Sequence, residues 1–280
     1  MEHQIDRAHV EGFARHLREE ERSPGTVENY LRHIGRFRAW LEGRAVTRET
    51  VAEWKKALTE AGYAPASVNA MLVAVNALFR YLGWEECRAR TLRLQRQLFR
   101  QEERELGRED YDRLVQTARG RGRERLALLM EAICATGIRV SEVRHLTVEA
   151  AREGRTEISL KGKVRTILLP RKLCRKLLQY AGRQSIASGE IFLTRGGRPL
   201  SRKQIWAEMK SLCQKAGVEP SKVFPHNLRH LFARTFYKVC GDVVKLADIL
   251  GHSRIETTRI YLISTGLEHA RTMERLGLIQ

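Results

Sequence analysis

Helical periodicity before residue 83 is the sequence feature that most constrains the fold. In SPGTVENYLRHIGRFRAWL, apolar side chains recur at steps of three and four residues and predict one face of an amphipathic helix: Val27, Tyr30, Leu31, Ile34, Phe37 and Leu41. VTRETVAEWKKALTEAG, ending at Gly62, and APASVNAMLVAVNALFRYLG, ending at Gly83, share this character. Three such helices predict a compact, all-helical N-terminal unit with basic outer faces.

The charge of the chain limits its partners. Its 280 residues exceed the common size of one core and predict two domains, and 42% hydrophobic residues are enough to fold them. Lys and Arg number 51 against 33 Asp and Glu, a formal charge of +18, which favours nucleic acid as the partner. An acidic membrane surface is the alternative, but no apolar run approaches the roughly 20 residues that span a bilayer. MEHQIDRAHVEGF lacks the apolar core of a signal peptide, so we expect no export.

A charged stretch follows the helical unit. RARTLRLQRQLFRQEERELGRED is nearly all positive from Arg88 to Arg100 and alternates in sign beyond it, which predicts a solvated linker or a helix extension. A positive connector also suits a protein that wraps a polyanion. The five cysteines have neither CxxC nor metal-ligand spacing, so we expect buried thiols in a reducing compartment and no metal: Cys87, Cys134, Cys174, Cys213 and Cys240.

One β-hairpin interrupts the helices predicted for the second half. TEISLK and VRTILLP are β-prone runs on either side of Gly162-Lys163, a pair that suits a two-residue type II′ turn. Lys161 is therefore expected beside the tip of a protruding hairpin. Helices are expected on both sides, with YDRLVQTA and RERLALLMEAICATG before it and further helices from Arg202 onward.

Two segments place an arginine near a helix start. In ATGIRVSEVRHL, Arg139 and Glu142 lie three residues apart, within reach of an ion pair, and an ordinary surface salt bridge is the simpler interpretation. In PHNLRHLFAR, Pro225 suits the first helical turn, so His226 and Arg229 share one face near exposed backbone N–H groups. That combination suits a phosphate, and a merely basic helix end explains it equally well.

The third segment is LGHSRIETTRIY. Gly251 ends an apolar helix, His252 follows it directly, and Tyr261 belongs to the next predicted helix. Taken alone, Tyr261 is better explained as a buried aromatic than as a reactive group.

In their order along the chain, ATGIRVSEV, the Lys161 hairpin, HNLRHLFA and LGHSRIETTRIY resemble the motifs of the tyrosine recombinase (phage-type integrase) family, in its Xer-like two-domain build. The resemblance implies a mainly α fold with a small β-sheet that closes as a C-shaped clamp around DNA. It implies an all-helical, SAM-like core-binding domain over residues 1–98, with a basic linker to about residue 105. A mixed α/β catalytic domain is expected over residues 106–280.

The resemblance also implies a catalytic set: Arg139, Lys161, His226, Arg229, His252 and the nucleophile Tyr261, with Glu142 in support. A neutral tyrosine is a poor nucleophile, because its pKa is about 10, so His226 is expected to take its proton. Arg139 and Arg229 match the charge that grows on the phosphate oxygens, where another enzyme would use a metal. His252 is expected to donate to the phosphate.

Lys161 is the expected general acid for the departing 5′-oxygen. The LKGKVRT turn is about one residue tighter than is usual in the family, so Lys163 is the alternative acid. The product would be a 3′-phosphotyrosine, formed without a cofactor, a metal or ATP.

The resemblance further implies double-stranded DNA recombination sites as partners and a homo-tetramer on DNA, with no membrane. Leu267, Ala270, Met273 and Leu276 form one apolar stripe that is expected to pack into a neighbouring protomer; docking on its own domain is the alternative. A cytoplasmic, bacterial or mobile-element protein is expected. Integration and excision of a mobile element is the preferred role, with chromosome dimer resolution, an inactive DNA-binding derivative and type IB topoisomerase-like relaxation as alternatives.

Overall fold

The computed structural model describes residues 3–94, 104–160, 163–259, 261 and 274–275, and only the backbone of Leu160 and Lys163. The chain divides into two compact units, residues 1–96 and 97–280. The predicted domain limits at residues 98 and 106 stay a prediction. Among the described residues, no helix combines the length and the apolar content needed to cross a bilayer. The predicted exchange segment, with Leu267, Ala270, Met273 and Leu276, lies outside the described residues.

The first unit is helical, as its periodicity predicts. Its described residues, 3–94, form four α-helices followed by a short 3₁₀ turn at Glu85–Cys87: α1 (Arg7–Glu19), α2 (Pro24–Leu41), α3 (Arg48–Glu60) and α4 (Pro65–Leu82). Helix α1 is an addition to the three predicted helices. The Asp6 side chain accepts from the backbone N–H of His9 and so caps its start. Phe13 and Leu17, on the apolar face of α1, are buried.

One apolar core holds the first unit together. The predicted face of α2 is confirmed, since Val27, Ile34, Phe37 and Leu41 are buried. Phe37 lies against Trp54 of α3, with ring centroids 4.8 Å apart, and both rings pack in the cluster that α4 completes. Burial of these aromatic side chains together with the aliphatic residues of the cluster stabilises the unit.

The start of the predicted linker is held against α4 by two asparagines. The side-chain amide of Asn69 donates to the backbone oxygen of Leu92 and accepts from its N–H, at 2.9 and 2.7 Å. Asn76 makes the same pair of hydrogen bonds with Ala89, at 2.8 and 3.1 Å. The two asparagines are seven residues apart and therefore share one helix face. Residues 88–92 thus belong to the first unit, and they lie inside the core-binding domain predicted over residues 1–98.

The second unit is mixed α/β. Its elements are α5 (Arg108–Gly120), α6 (Glu124–Thr136), α7 (Val148–Glu153), β1 (Arg155–Leu160), β2 (Lys163–Leu168), α8 (Arg171–Arg183), α9 (Arg202–Lys210), α10 (Cys213–Ala216), α11 (Pro225–Cys240), α12 (Val243–Leu250) and α13 (Ile255–Arg259). A 3₁₀ helix, Val140–His145, stands where the sequence predicts a new α-helix. Helix α6 lies in the core and contacts α5, α8 and α11. The expected mainly α fold with a small sheet is confirmed.

The hairpin pairs in a different register from the predicted one. Strands β1 and β2 are antiparallel, with Leu160 opposite Lys163 and Ile158 opposite Arg165. Lys163 therefore belongs to β2, so the predicted Gly162-Lys163 turn is wrong by one position. Because side chains alternate along a strand, this register places Arg165 on the same face as the buried Ile158 and Ile167.

Candidate active site

Arg229 lies at the centre of the candidate site. Helix α11 begins at Pro225, as predicted, and holds Arg229 in its second turn with only 1% of the residue exposed. Its guanidinium donates to the backbone oxygens of Gly137 and Leu250, the second at 2.8 Å. These carbonyls end α6 and α12, so one side chain joins three helices.

Two functional groups complete the contacts of Arg229. Its Nη2 is 2.9 Å from Nε2 of His252, and its Nε donates to the hydroxyl of Tyr261 at 3.4 Å. Four of its five N–H groups therefore have partners among the described residues. The structure brings Arg229, His252 and Tyr261 together.

Tyr261 fits both interpretations given for it, a buried aromatic and a member of a polar site. It is 5% exposed and packs in a small cluster with Ala233, Leu246 and Leu250. Its hydroxyl nevertheless reaches Arg229 in the same chain. The ring is therefore a core aromatic and its oxygen is part of a polar site.

Glu142 connects the other side of the site. It is 1% exposed, accepts from the backbone N–H of Arg139 at 2.8 Å and pairs with the guanidinium of Arg139 at 2.8 Å. The predicted Arg139–Glu142 pair is confirmed. Burial alone would raise the pKa of Glu142, but the Arg139 amide and the guanidiniums of Arg165 and Arg139 lower it overall.

Arg165 is a site residue that the sequence analysis missed. From β2 it pairs with Glu142 at 3.0 Å and donates to the backbone oxygen of Ile249 at 2.7 Å. Its side chain also packs against Gly251, where φ is +64° and an added Cβ would collide with it. Arg165 thus ties the hairpin to the loop that carries His252. The signal available in the sequence was a charged residue on the apolar face of β2.

His252 has a described partner on each ring nitrogen. Nε2 faces Arg229, and Nδ1 is 2.8 Å from the hydroxyl of Thr258, which is fully buried on α13. Burial, followed by repulsion from Arg229, Arg139 and Arg165, lowers the pKa of His252 to about 4. The ring is therefore neutral near pH 7.

Two histidines of α11 flank the tyrosine. The ring of His226 lies 6.0 Å from that of Tyr261, centroid to centroid, and the ring of His230 lies 4.4 Å away, edge-on. Partial burial and the nearby Arg229 and Arg139 lower the pKa of His226, so it is a neutral proton acceptor near pH 7. The sequence analysis did not single out His230.

The site carries excess positive charge. Three guanidinium groups, those of Arg139, Arg165 and Arg229, lie near Glu142, which is the one buried carboxylate in the part of the chain that the structure describes. Burial and then repulsion by Arg229 and Arg139 lower the pKa of Arg165 to about 10 despite Glu142. A bound anion would relieve this repulsion, so the arrangement suits a phosphate.

The candidate general acids are not placed. Lys161 lies outside the described residues, and for Lys163 only the backbone in β2 is described. Their order as acid candidates therefore stays a prediction.

Two family models match the chain. The model of the phage integrase family matches residues 104–266, more than half of the chain, and covers every candidate site residue. The chain belongs to the phage integrase family. The model of the phage integrase N-terminal SAM-like domain matches residues 10–86 of this tyrosine recombinase, within the helical first unit.

Relatives and a solved structure agree with that assignment. The recombinase is 30% identical to tyrosine recombinase XerA of Thermococcus kodakarensis over 282 residues, which cover 97% of this chain and 96% of the relative. It is 29% identical to XerA of Pyrococcus furiosus over 281 residues, with 97% and 94% covered. A lambda integrase tetramer bound to a Holliday junction shares the fold, with a TM-score of 0.73, 18% identity, and 91% of this chain and 76% of that chain covered. The resemblance drawn from the motifs is confirmed.

Proposed function

We propose that this recombinase cleaves and rejoins DNA strands at specific sites through a 3′-phosphotyrosine on Tyr261. The observation that carries the proposal is the contact between the Tyr261 hydroxyl and Arg229 within a cluster of excess positive charge. A nucleophile and the groups that bind a phosphate thereby share one site.

Arg139 and Arg229 bind the non-bridging oxygens of the scissile phosphate. Arg139 has 40% of its side chain exposed and one guanidinium nitrogen on Glu142, so the rest of its donor fork is open to a ligand. Arg229 reaches the phosphate with its Nη2–H donor, which leaves Nε2 of His252 and turns to a phosphate oxygen. Charge that develops on the oxygens is then met by donors already held in place.

Tyr261 attacks the phosphorus, and the bond to the 5′-oxygen breaks. The phenolic proton passes to His226, whose ring is neutral near pH 7. Lys161, or Lys163 as the alternative, gives a proton to the departing 5′-oxygen. Because the hydroxyl of Tyr261 contacts Arg229 of its own chain, cleavage occurs within one subunit.

A covalent adduct tests this proposal. DNA sites are first selected from a random duplex library by binding, and a nick is then placed in a selected site so that the released end is lost. Wild-type protein is expected to form a protein–DNA adduct, and Tyr261→Phe is expected to bind the same DNA without forming one. Absence of an adduct with wild-type protein on proven sites would instead favour an inactive DNA-binding derivative.

Four copies acting on two DNA sites form the proposed assembly. The fold shared with a lambda integrase tetramer on a Holliday junction supports it. Deleting residues after Thr265 is expected to leave binding to one site unchanged and to abolish pairing of two sites. Relaxation of plasmid DNA by a monomer, independent of sequence, would contradict this assembly and favour a topoisomerase-like activity.

Integration and excision of a mobile element is the proposed biological role. The XerA relatives support site-specific recombination in general and are equally compatible with chromosome dimer resolution. The DNA that flanks the gene tests this role. Attachment-site repeats that bound an element are expected, and a single site at a fixed chromosomal position would contradict the proposal.

A further inference from the structure

The contacts of His252 determine where its proton lies. Arginine has only donors, so the lone pair on Nε2 of His252 must accept the hydrogen bond from Arg229 at 2.9 Å. A neutral imidazole carries one proton, which must then lie on Nδ1. That N–H donates to the hydroxyl of Thr258 at 2.8 Å.

In this tautomer, His252 cannot donate a hydrogen bond from Nε2 to a phosphate. To donate to a phosphate oxygen, His252 needs its proton on Nε2, which in the free protein is an acceptor. Adding a second proton to the ring is costly, because burial and the charges of Arg229, Arg139, Arg165 and the neighbouring His226 lower the pKa of His252 to about 4. The single proton must therefore change nitrogen.

The hydroxyl of Thr258 can pair with Nδ1 of His252 in either tautomer. A hydroxyl accepts from Nδ1–H, and after rotation of its own proton it donates to a bare Nδ1. A backbone carbonyl or a carboxylate in its place would hold the proton on Nδ1 and leave Nε2 unable to donate. Thr258 is also fully buried, and its hydroxyl lies 2.8 Å from Nδ1.

We propose that Thr258 is a positioning residue that pairs with Nδ1 of His252 in both tautomers: it accepts from Nδ1–H in the free protein, where Arg229 fixes the proton on Nδ1, and it donates to the bare Nδ1 of the Nε2–H ring once a phosphate takes the place of Nε2 as the partner of Arg229. The second state rests on the proposed function, since it requires a phosphate in the site. The ring loses the Nδ1 proton to solvent and gains one at Nε2, so the number of bound protons is unchanged. Thr258 itself does not touch the substrate.

Three variants separate this role from simple packing. Thr258→Val keeps the shape of the side chain and removes the hydroxyl, and Thr258→Ser restores the hydroxyl. Thr257→Val makes the same chemical change at the adjacent, exposed position and is the matched control. Equal circular dichroism and melting behaviour of the variants establishes that each is folded.

Two-bond ¹H–¹⁵N spectra of histidine-labelled protein read the tautomer directly, with the His252 signal assigned through His252→Gln. In the free wild-type protein we expect Nδ1–H, and addition of inorganic phosphate as the probe is expected to move it to Nε2–H. Thr258→Val is expected to keep Nδ1–H in the free state, because Arg229 still donates to Nε2, and to move only in part to Nε2–H with phosphate, because no hydroxyl then donates to the bare Nδ1. Thr258→Ser and Thr257→Val are expected to match wild type. An Nε2–H signal in the free wild-type protein, or a complete move of Thr258→Val to Nε2–H with phosphate, would overturn the proposal.

Single-turnover cleavage of the nicked DNA gives the functional measurement. Thr258→Val is expected to cleave about 10-fold more slowly, by analogy with metal-ligating histidines that lose the partner orienting them. Thr258→Ser is expected to recover the wild-type rate, and a serine variant as slow as the valine variant would also overturn the proposal. If wild-type protein formed no adduct, the proposed function would fail, while the spectra of the free protein and its phosphate complex would still decide the role of Thr258.

Discussion

The buried and exposed halves of the candidate site are held in place differently. In the buried half, Arg229 is 1% exposed and donates to backbone carbonyls at the ends of α6 and α12 as well as to His252 and Tyr261. In the exposed half, Arg139 has 40% of its side chain open to solvent and is oriented by Glu142. Glu142 and Arg165 lie between the two halves.

This difference separates stability from chemistry. Arg229 stabilises the junction of three helices, so the fold and the proposed phosphate site depend on the same hydrogen bonds. Arg139 contributes little to the core, and its open donors are available to a ligand. Substitutions in the buried half are therefore expected to alter stability and cleavage together, and substitutions in the exposed half to alter cleavage alone.

Replacing each arginine with methionine tests the comparison most strongly. Arg229→Met leaves the oxygens of Gly137 and Leu250 without their donors in a buried place, and we expect the free energy of unfolding to fall by about 3 kcal/mol. Relief of repulsion from Arg139 and Arg165 offsets part of a larger loss. Arg139→Met is expected to cost about 1 kcal/mol or less, because 40% of the Arg139 side chain is exposed and Glu142 keeps its pair with Arg165.

Urea unfolding gives both free energies, and adduct formation on nicked DNA gives the activities. Both variants are expected to lose the adduct. Equal losses of stability would remove the distinction between the two halves.

Gly137→Ala, at the end of α6, is expected to have the next largest effect on the free energy of unfolding. Its φ is +65°, and a Cβ there would collide with the ring of Phe232 while displacing the carbonyl that accepts from Arg229. Gly217 has a φ of +61° and open space around it, which makes it the matched control in the same unit. We expect Gly137→Ala to cost about 2–3 kcal/mol and Gly217→Ala about 1 kcal/mol in unfolding experiments. Similar losses of unfolding free energy for Gly137→Ala and Gly217→Ala would mean that the collision with Phe232 adds nothing to the cost of the backbone strain.

Glu142→Gln tests the connection between the halves. Removing the charge leaves Arg139 and Arg165 facing each other across a neutral amide, and we expect a loss of about 2 kcal/mol at pH 7. Because the folded pKa of Glu142 lies below its ordinary value, its contribution is full above about pH 4.5 and is lost as the pH falls through the lower folded value.

The stability difference between wild type and Glu142→Gln should therefore narrow on acidification below pH 4.5, as measured by urea unfolding across pH. Glu157→Gln, on the exposed face of the same hairpin, is expected to differ little from wild type at any pH. A difference in unfolding free energy between wild type and Glu142→Gln that stays constant with pH would contradict a charged Glu142 in the folded state.

The sequence predicted the elements better than the contacts between them. Apolar periodicity located α2, α3 and α4, and the Pro225 start of α11 placed His226 and Arg229 correctly, because these features depend on neighbours in the chain. The Asp6 cap of α1 was overlooked, although the helix was within reach of the same reasoning.

Long-range partners could not be derived in the same way. Arg165 is 23 residues from Glu142 and 84 from Ile249, and Asn69 holds a backbone segment 23 residues further along. No local pattern encodes such pairs, since they arise when the hairpin and the helices pack. The motif resemblance identified the family's catalytic positions, but it did not include Arg165 or Thr258, which hold those positions in place.

The smallest expected effect is the pH dependence that His252 adds to stability. The unfolded ring takes a proton near its ordinary pKa of about 6.5, whereas the folded ring resists it down to about pH 4. Between these values the unfolded state binds more protons, so stability falls as the pH falls from 6.5 to 4. We expect wild type to lose on the order of 1 kcal/mol more than His252→Gln across this window, after allowance for the partial exposure of the ring.

Urea unfolding at several pH values measures that difference, and the other histidines contribute equally to both proteins. Parallel curves would mean that the folded ring takes a proton as easily as the unfolded one. A stable hydrogen bond from Arg229 to Nε2 opposes protonation, because a protonated ring has no lone pair to accept it, so parallel curves would contradict that bond. The buried half of the site would lose one of its contacts, and the tautomer assigned to His252 would lose its physical basis.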